Sequence, residues 1–192
     1  MDSKDHRFRR LNQEIRNCQR CRLAESRTYA LCGEGDTNAR LMLIAQAPGD
    51  TEDQENRMFI GPSGGVLDIL LSTAGVSRDA LYMTNLVKCR LPDYRRPKQD
   101  EIEACSDYLD REISLVDPEV LVPLGYYATR HMLRSMNHSD PESRSDIAEL
   151  FGTIIPTERG QLYPLPHPAS LIYHEDYWPV TQERYRKLKE FV

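Results

Sequence analysis

The feature that most restricts the fold is an alternation of short, largely apolar runs with stretches in which apolar residues recur at helical spacing. The runs at residues 41–45 (LMLIA), 81–87 and 120–124 are apolar enough to be buried on both faces, as strands of a helix-covered parallel sheet are. Between them the spacing predicts helices over residues 9–15, 66–74, 98–113, 126–133 and 177–191, with Gly75 in the usual carboxyl-cap position. Further short strands are expected at residues 154–155 and 162–165. Residues 46–65 read as a loop, and residues 136–146 as a mobile one. Strands alternating with helices define an α/β protein built on a mostly parallel sheet. A chain of 192 residues is expected to form one domain, residues 1–192, because two would each be small.

Charge narrows the function. The net charge of −5 excludes a protein that coats nucleic acid indiscriminately, since such binding rests on many Lys and Arg contacts to phosphate. Local basic stretches remain: Arg7, Arg9, Arg10, Arg16, Arg20, Arg22 and Arg27 at the amino end, and Lys88, Arg90, Arg95, Arg96 and Lys98 in the middle. Such runs are more often solvated surface than phosphate tracks. No apolar run approaches the roughly 18 residues of a membrane helix, and the amino end is charged where a secretion signal is apolar. The expectation is a cytoplasmic protein without a membrane partner.

Five cysteines occur, and a reducing cytoplasm argues against disulfides among them. Cys18 and Cys21 form a C-x-x-C, which lets two thiolates converge on one metal centre; Cys89 and Cys105 lie far downstream, where a compact fold can bring them in as further ligands. Four thiolates suit tetrahedral zinc or an iron-sulfur cluster equally well. A redox pair fits poorly, because the C-x-x-C lies in a polar, Arg-rich segment ahead of the first strand. Cys32 has no assigned role.

In open α/β sheets, ligands bind beyond the carboxyl ends of the strands. Three segments fall there: the residues after Ala45, those after Asn85, and His167. The first reads A-Q-A-P-G-D-T-E-D (residues 45–53) and then M-F-I-G-P-S-G (58–64); the second reads T-N-L-V-K-C-R-L-P (84–92); the third is H-P-A-S (167–170). Together, and in this order, they resemble the motifs of the family 4 uracil-DNA glycosylases: G-E-A-P-G-x-x-E-D with P-F-V-G-x-A-G, T-N-x-V-K-C-R-P-P, and H-P-A. The resemblance runs from Cys18 to about Leu171. It implies a three-layer fold, with a four-stranded parallel sheet between helices, and a structural [4Fe-4S] cluster on Cys18, Cys21, Cys89 and Cys105. The implied partner is uracil-containing DNA, single- or double-stranded, and the protein is expected to be a monomer.

The resemblance also implies roles. A base inside a duplex must be flipped out to be reached. Phe59 matches the family's stacking phenylalanine. Asn85 matches the residue whose amide meets uracil O4 and N3 together, and His167 the donor that stabilises the departing uracil anion at O2. Gln46 and Ala47 complete the implied base-binding set. Ser63, Arg90, Arg95 and Arg96 are expected to contact DNA, and Leu171, followed by Ile172, to wedge into the gap left by the base. Gln46 departs from the family glutamate. An amide orients water but takes no proton, so Glu52 or Asp53 is the expected source of the missing negative field, with turn stabilisation as their alternative role. Asn56 for Gly, Met58 for Pro and Ser63 for Ala depart as well. Two rivals stand beside uracil excision: a glycosylase of the same fold for hypoxanthine or xanthine, and a non-catalytic iron-sulfur or zinc protein that binds DNA or transfers electrons.

Overall fold

The structure, a computed structural model, describes residues 3–138 and 143–192. Part of the expected loop at 136–146 therefore lies outside the described residues. The chain opens with helix α1 (Lys4–Arg16), started by Ser3, whose hydroxyl accepts the His6 amide. Strands β1 (Glu34–Gly35) and β2 (Leu41–Ala45) follow, then helices α2 (Asp50–Glu55) and α3 (Pro62–Ala74), strand β3 (Leu81–Asn85), helix α4 (Gln99–Val116), strand β4 (Val120–Pro123) and helices α5 (Gly125–Ser135) and α6 (Arg144–Leu150). Strands β5 (Ile155–Thr157) and β6 (Gly160–Leu162) and helices α7 (Ser170–Tyr173) and α8 (Trp178–Arg186) complete the order.

The sheet has six strands in the order β1-β3-β2-β4-β6-β5, not four. Its four central strands are parallel, and β1 and β5 pair antiparallel at the two edges. The edge strand β1 escaped sequence reading because it is two residues long and not apolar, whereas β5 overlaps the short strand expected at 154–155 and runs on to Thr157. Helices cover both faces. Met42 and Ile44 of β2 pack with α1, α4 and α5, whereas Leu41, Leu43 and Ala45 pack with α3 and α8. This alternation puts every residue of β2 in a core and explains why the strand reads as an unbroken apolar run.

Two helices depart from expectation. The segment 46–65, read as a loop, contains α2, whose buried residues are the acids Glu52 and Asp53. Apolar periodicity cannot register a helix anchored by carboxylates. Helix α6 likewise begins inside the stretch read as a loop, on a capping box formed by Ser143 and Asp146. Among the described residues no helix is long and apolar enough to cross a membrane.

Candidate active site

The carboxyl ends of β2 and β3, together with the chain running on from β6, converge on one cavity of about 340 Å³. Its walls include Gln46, Ala47, Asp50, Glu52, Met58, Phe59, Ser63, Asn85, Arg90, Tyr94, Arg95 and His167. Strand pairing continues past the strands themselves: Leu86 N–H donates to Ala45 O and Val87 N–H to Gln46 O. The backbones carrying Gln46 and Asn85 are thereby fixed to each other.

Phe59 takes the left-handed backbone conformation, φ 52°, and is buried against the cavity. Arg78 holds that turn by donating to Phe59 O at 2.8 Å and Gly64 O at 3.2 Å. A Cβ on Gly64 would lie 1.8 Å from Phe59 O, so position 64 admits glycine alone without rebuilding the turn. Asn56, in the family's glycine position, also has positive φ as the carboxyl cap of α2, a conformation that Asn tolerates better than most residues.

Asn85 ends β3 with 2% of its surface exposed, and its Nδ2 donates to Met58 Sδ at 3.2 Å. His167 lies 6.4 Å from the Phe59 ring, centroid to centroid. Its Nδ1 accepts the Ala169 amide at 3.1 Å, and desolvation lowers its pKa to about 4. A neutral ring whose Nδ1 is an acceptor carries its proton on Nε2, so His167 presents an N–H donor at neutral pH.

The acids of α2 are divided in use. Asp53 accepts Thr28 N–H with both oxygens at 3.0 Å and Tyr29 N–H at 3.3 Å, so it holds the preceding loop and takes no part in the cavity wall. Glu52 lines the cavity but accepts Gly61 N–H at 2.8 Å. Asp50, which sequence reading missed, also lines it, and binds Arg90 at 3.1 Å and the Tyr94 hydroxyl. Nothing in a bare D-T-E marks one acid as a wall residue.

The expected DNA contacts separate. Ser63 sits in the first turn of α3, at the cavity. Arg90 is paired with Asp50 and lies 3.7 Å from Asp53; Arg95 grips Glu101 through two bonds of 2.8 and 2.6 Å. Arg96 is exposed and lies outside the cavity wall. Leu171 is a correction: at 2% exposure it belongs to the core between α3 and α8, because the short helix α7 turns it inward, and no wedge can be made from it in place. Ile172 and Tyr173, 41% and 79% exposed, are the side chains that α7 turns outward.

Cys18, Cys21, Cys89 and Cys105 are free thiols close enough to influence one another electrostatically. Arg27 donates to Cys89 Sγ at 3.2 Å and the Arg20 amide to Cys18 Sγ at 3.5 Å. Burial pushes the Cys89 thiol up to about 12 and raises that of Cys105. Among the described residues no group of three or more His, Cys, Asp or Glu side chains is arranged to hold a single metal ion. Cys32 stands apart, donating to Asn12 O at 3.5 Å, with its thiol raised to about 11 by burial.

Fold and site define an α/β protein with a small-molecule pocket, one aromatic wall and a few fixed polar groups, over the carboxyl ends of parallel strands. The sequence profile described as "Uracil DNA glycosylase superfamily" matches residues 32–190. Curated relatives named type-4 uracil-DNA glycosylase include those of Saccharolobus solfataricus, 37% identical over 92% of this chain and 82% of that one, and Sulfurisphaera tokodaii, 34% identical over 94% and 83%. The Archaeoglobus fulgidus protein of the same name is 31% identical over 93% and 89%. The chain belongs to the uracil-DNA glycosylase superfamily and, within it, to the type-4 family.

Proposed function

We propose that the protein is a DNA-repair glycosylase that hydrolyses the bond between uracil and deoxyribose, leaving an abasic site. The observation that carries the reading is the neutral His167, with Nε2–H as its donor, sharing one cavity with Phe59 and Asn85. A flipped uracil stacks on Phe59, and the Asn85 amide donates to its O4 and accepts from N3–H. As the C1′–N1 bond breaks, its electron pair leaves with uracil, and the His167 donor stabilises the charge at O2. Gln46 orients the water whose oxygen bonds to C1′ and whose proton passes to solvent. Asp50 and Glu52 supply the negative field at the sugar, an assignment that replaces the expected Asp53.

The amino end of α3 and Arg96 meet the DNA backbone, joined by Arg90 and Arg95 where phosphate displaces their acids. Ile172, in place of Leu171, is the wedge. Cys18, Cys21, Cys89 and Cys105 hold a [4Fe-4S] cluster. The sulfur-directed N–H donors suit it. When bound, the cluster supplies a structural cross-link between the amino-terminal segment and the loop around Cys89.

Single-turnover cleavage of matched oligonucleotides carrying uracil, hypoxanthine, xanthine or cytosine tests the reading, with iron and sulfide analysis of the same preparation. Fastest release of uracil is expected. Preference for a purine would assign a different base, and DNA binding without any cleavage would favour the non-catalytic alternative, for which Gln46 is the supporting residue.

A further inference from the structure

Lys88 belongs by sequence to the basic stretch, yet only 1% of it is exposed and it cannot reach a phosphate. An ammonium has three N–H donors, and here all three are spent inside the protein: on Glu112 at 2.5 Å, the Thr84 hydroxyl at 2.6 Å and the main-chain carbonyl of Asn85 at 2.8 Å. Glu112 is fully buried on α4. It also accepts the Thr84 hydroxyl at 2.7 Å, Gly33 N–H at 3.0 Å and the Tyr82 hydroxyl at 3.4 Å. A buried ion pair is a poor source of stability, because well-packed apolar residues of similar volume serve as well or better. What such a pair contributes is direction.

The direction here concerns Asn85. Among the described residues its side chain has one weak tether, the Met58 thioether, so the angle of its amide depends on the backbone that carries it. That backbone is held from behind by Lys88 Nζ. The main chain of Lys88, next to Cys89, is tied in turn: its carbonyl accepts Leu31 N–H at 2.7 Å.

We propose that the buried Lys88–Glu112 pair is the positioning device for Asn85, fixing the angle at which its amide meets a pyrimidine base and tying that angle to α4 and the cysteine-bearing loop. The inference rests on the reading of Asn85 as the residue that recognises the base. Lys88 is a positioning residue: it touches neither substrate nor reacting atoms.

The test compares Lys88→Met with the double variant Lys88→Met/Glu112→Gln. The single variant strands a buried carboxylate and is expected to melt well below wild type; the double variant removes both charges, keeps an acceptor for Gly33 and is expected to recover most of the melting temperature. Amide hydrogen exchange at Leu86 and Val87 in the double variant should still be about tenfold faster than in wild type. Its single-turnover rate on a uracil strand should be lower by roughly tenfold to a hundredfold, the scale of an ångström-sized misplacement, at unchanged affinity for undamaged DNA. Recovered melting temperature together with wild-type exchange and rate would overturn the proposal and leave the pair a structural element. If the double variant does not fold, the near-isosteric Thr84→Val, which keeps the pair but removes one contact, should shift both readouts about threefold in the same direction; wild-type values there would overturn it equally. A wild-type protein that releases no uracil refutes the functional reading, while the exchange measurement still decides whether the pair holds the Asn85 segment.

Discussion

The base pocket and the arginine-bearing loop beside it spend their polar groups in opposite ways. In the pocket, backbone bonds position the residues while the His167 Nε2–H and the Asn85 amide are left for a ligand. In the loop, Arg90 and Arg95 are already satisfied by Asp50 and Glu101. The pocket is therefore organised in advance, whereas on the proposed reading phosphate exchanges places with the protein's own carboxylates. Chemistry should depend on single pocket residues, and DNA affinity on a balance of charges that salt shifts.

The hardest blow to this contrast is His167→Ala. It should slow single-turnover cleavage by roughly a hundredfold or more, with far smaller loss of DNA binding. A near-wild-type rate would remove His167 from catalysis. Because burial holds its pKa at about 4, the neutral donor persists from pH 5 to 8, and the rate profile should show no break near the ordinary histidine value of about 6.5. The linked stability runs the other way from a paired histidine. The unfolded chain takes up the proton below about 6.5 and the folded one only near 4, so stability falls as pH drops through that window. Chemical denaturation of wild type and His167→Ala at pH 7 and pH 5 should show a smaller drop in the variant.

Next in size is the cysteine framework. Cys89→Ser or Cys105→Ser should abolish the broad visible absorbance of the purified protein and lower its melting temperature, since metal-site formation is linked to folding. A colourless wild type without iron or sulfide would refute the cluster, while zinc in its place would leave the architecture standing. Asn85→Asp should then reduce uracil cleavage by roughly tenfold, since a carboxylate offers O4 no donor, and narrow the gap to cytosine. Unchanged selectivity would mean that Asn85 does not read the base. The smallest effect belongs to the loop: Asp50→Asn should release Arg90 and tighten binding of an undamaged strand about threefold at low salt, with the gain lost at high salt. Equal affinity at both ionic strengths would show that the pairing does not restrain the arginine.

Where side chains follow simple burial, the sequence is readable. The run Leu41–Ala45 had to be a strand covered on both faces, and the acceptor-rich ends of β2 and β3 had to meet at one end of the sheet. Lys88 was counted among surface cations because nothing in its neighbourhood marks it as the partner of Glu112, 24 residues away. Leu171 read as an exposed wedge because the adjacent apolar pair Leu171-Ile172 carries no sign of which member a four-residue helix turns inward. Asp50 was invisible for a related reason: its use depends on Arg90 and Tyr94, 40 and 44 residues downstream.

The two antiparallel edge strands have a consequence for how copies of the chain meet. An unpaired parallel strand offers a long row of open amides and carbonyls to any neighbour, the usual start of sheet-to-sheet aggregation. Here β1 presents only two residues, and β5 three, of which Pro156 has no N–H to give. Both ends of the parallel core are closed by segments too short to template another strand, so a second copy finds no open sheet edge to extend.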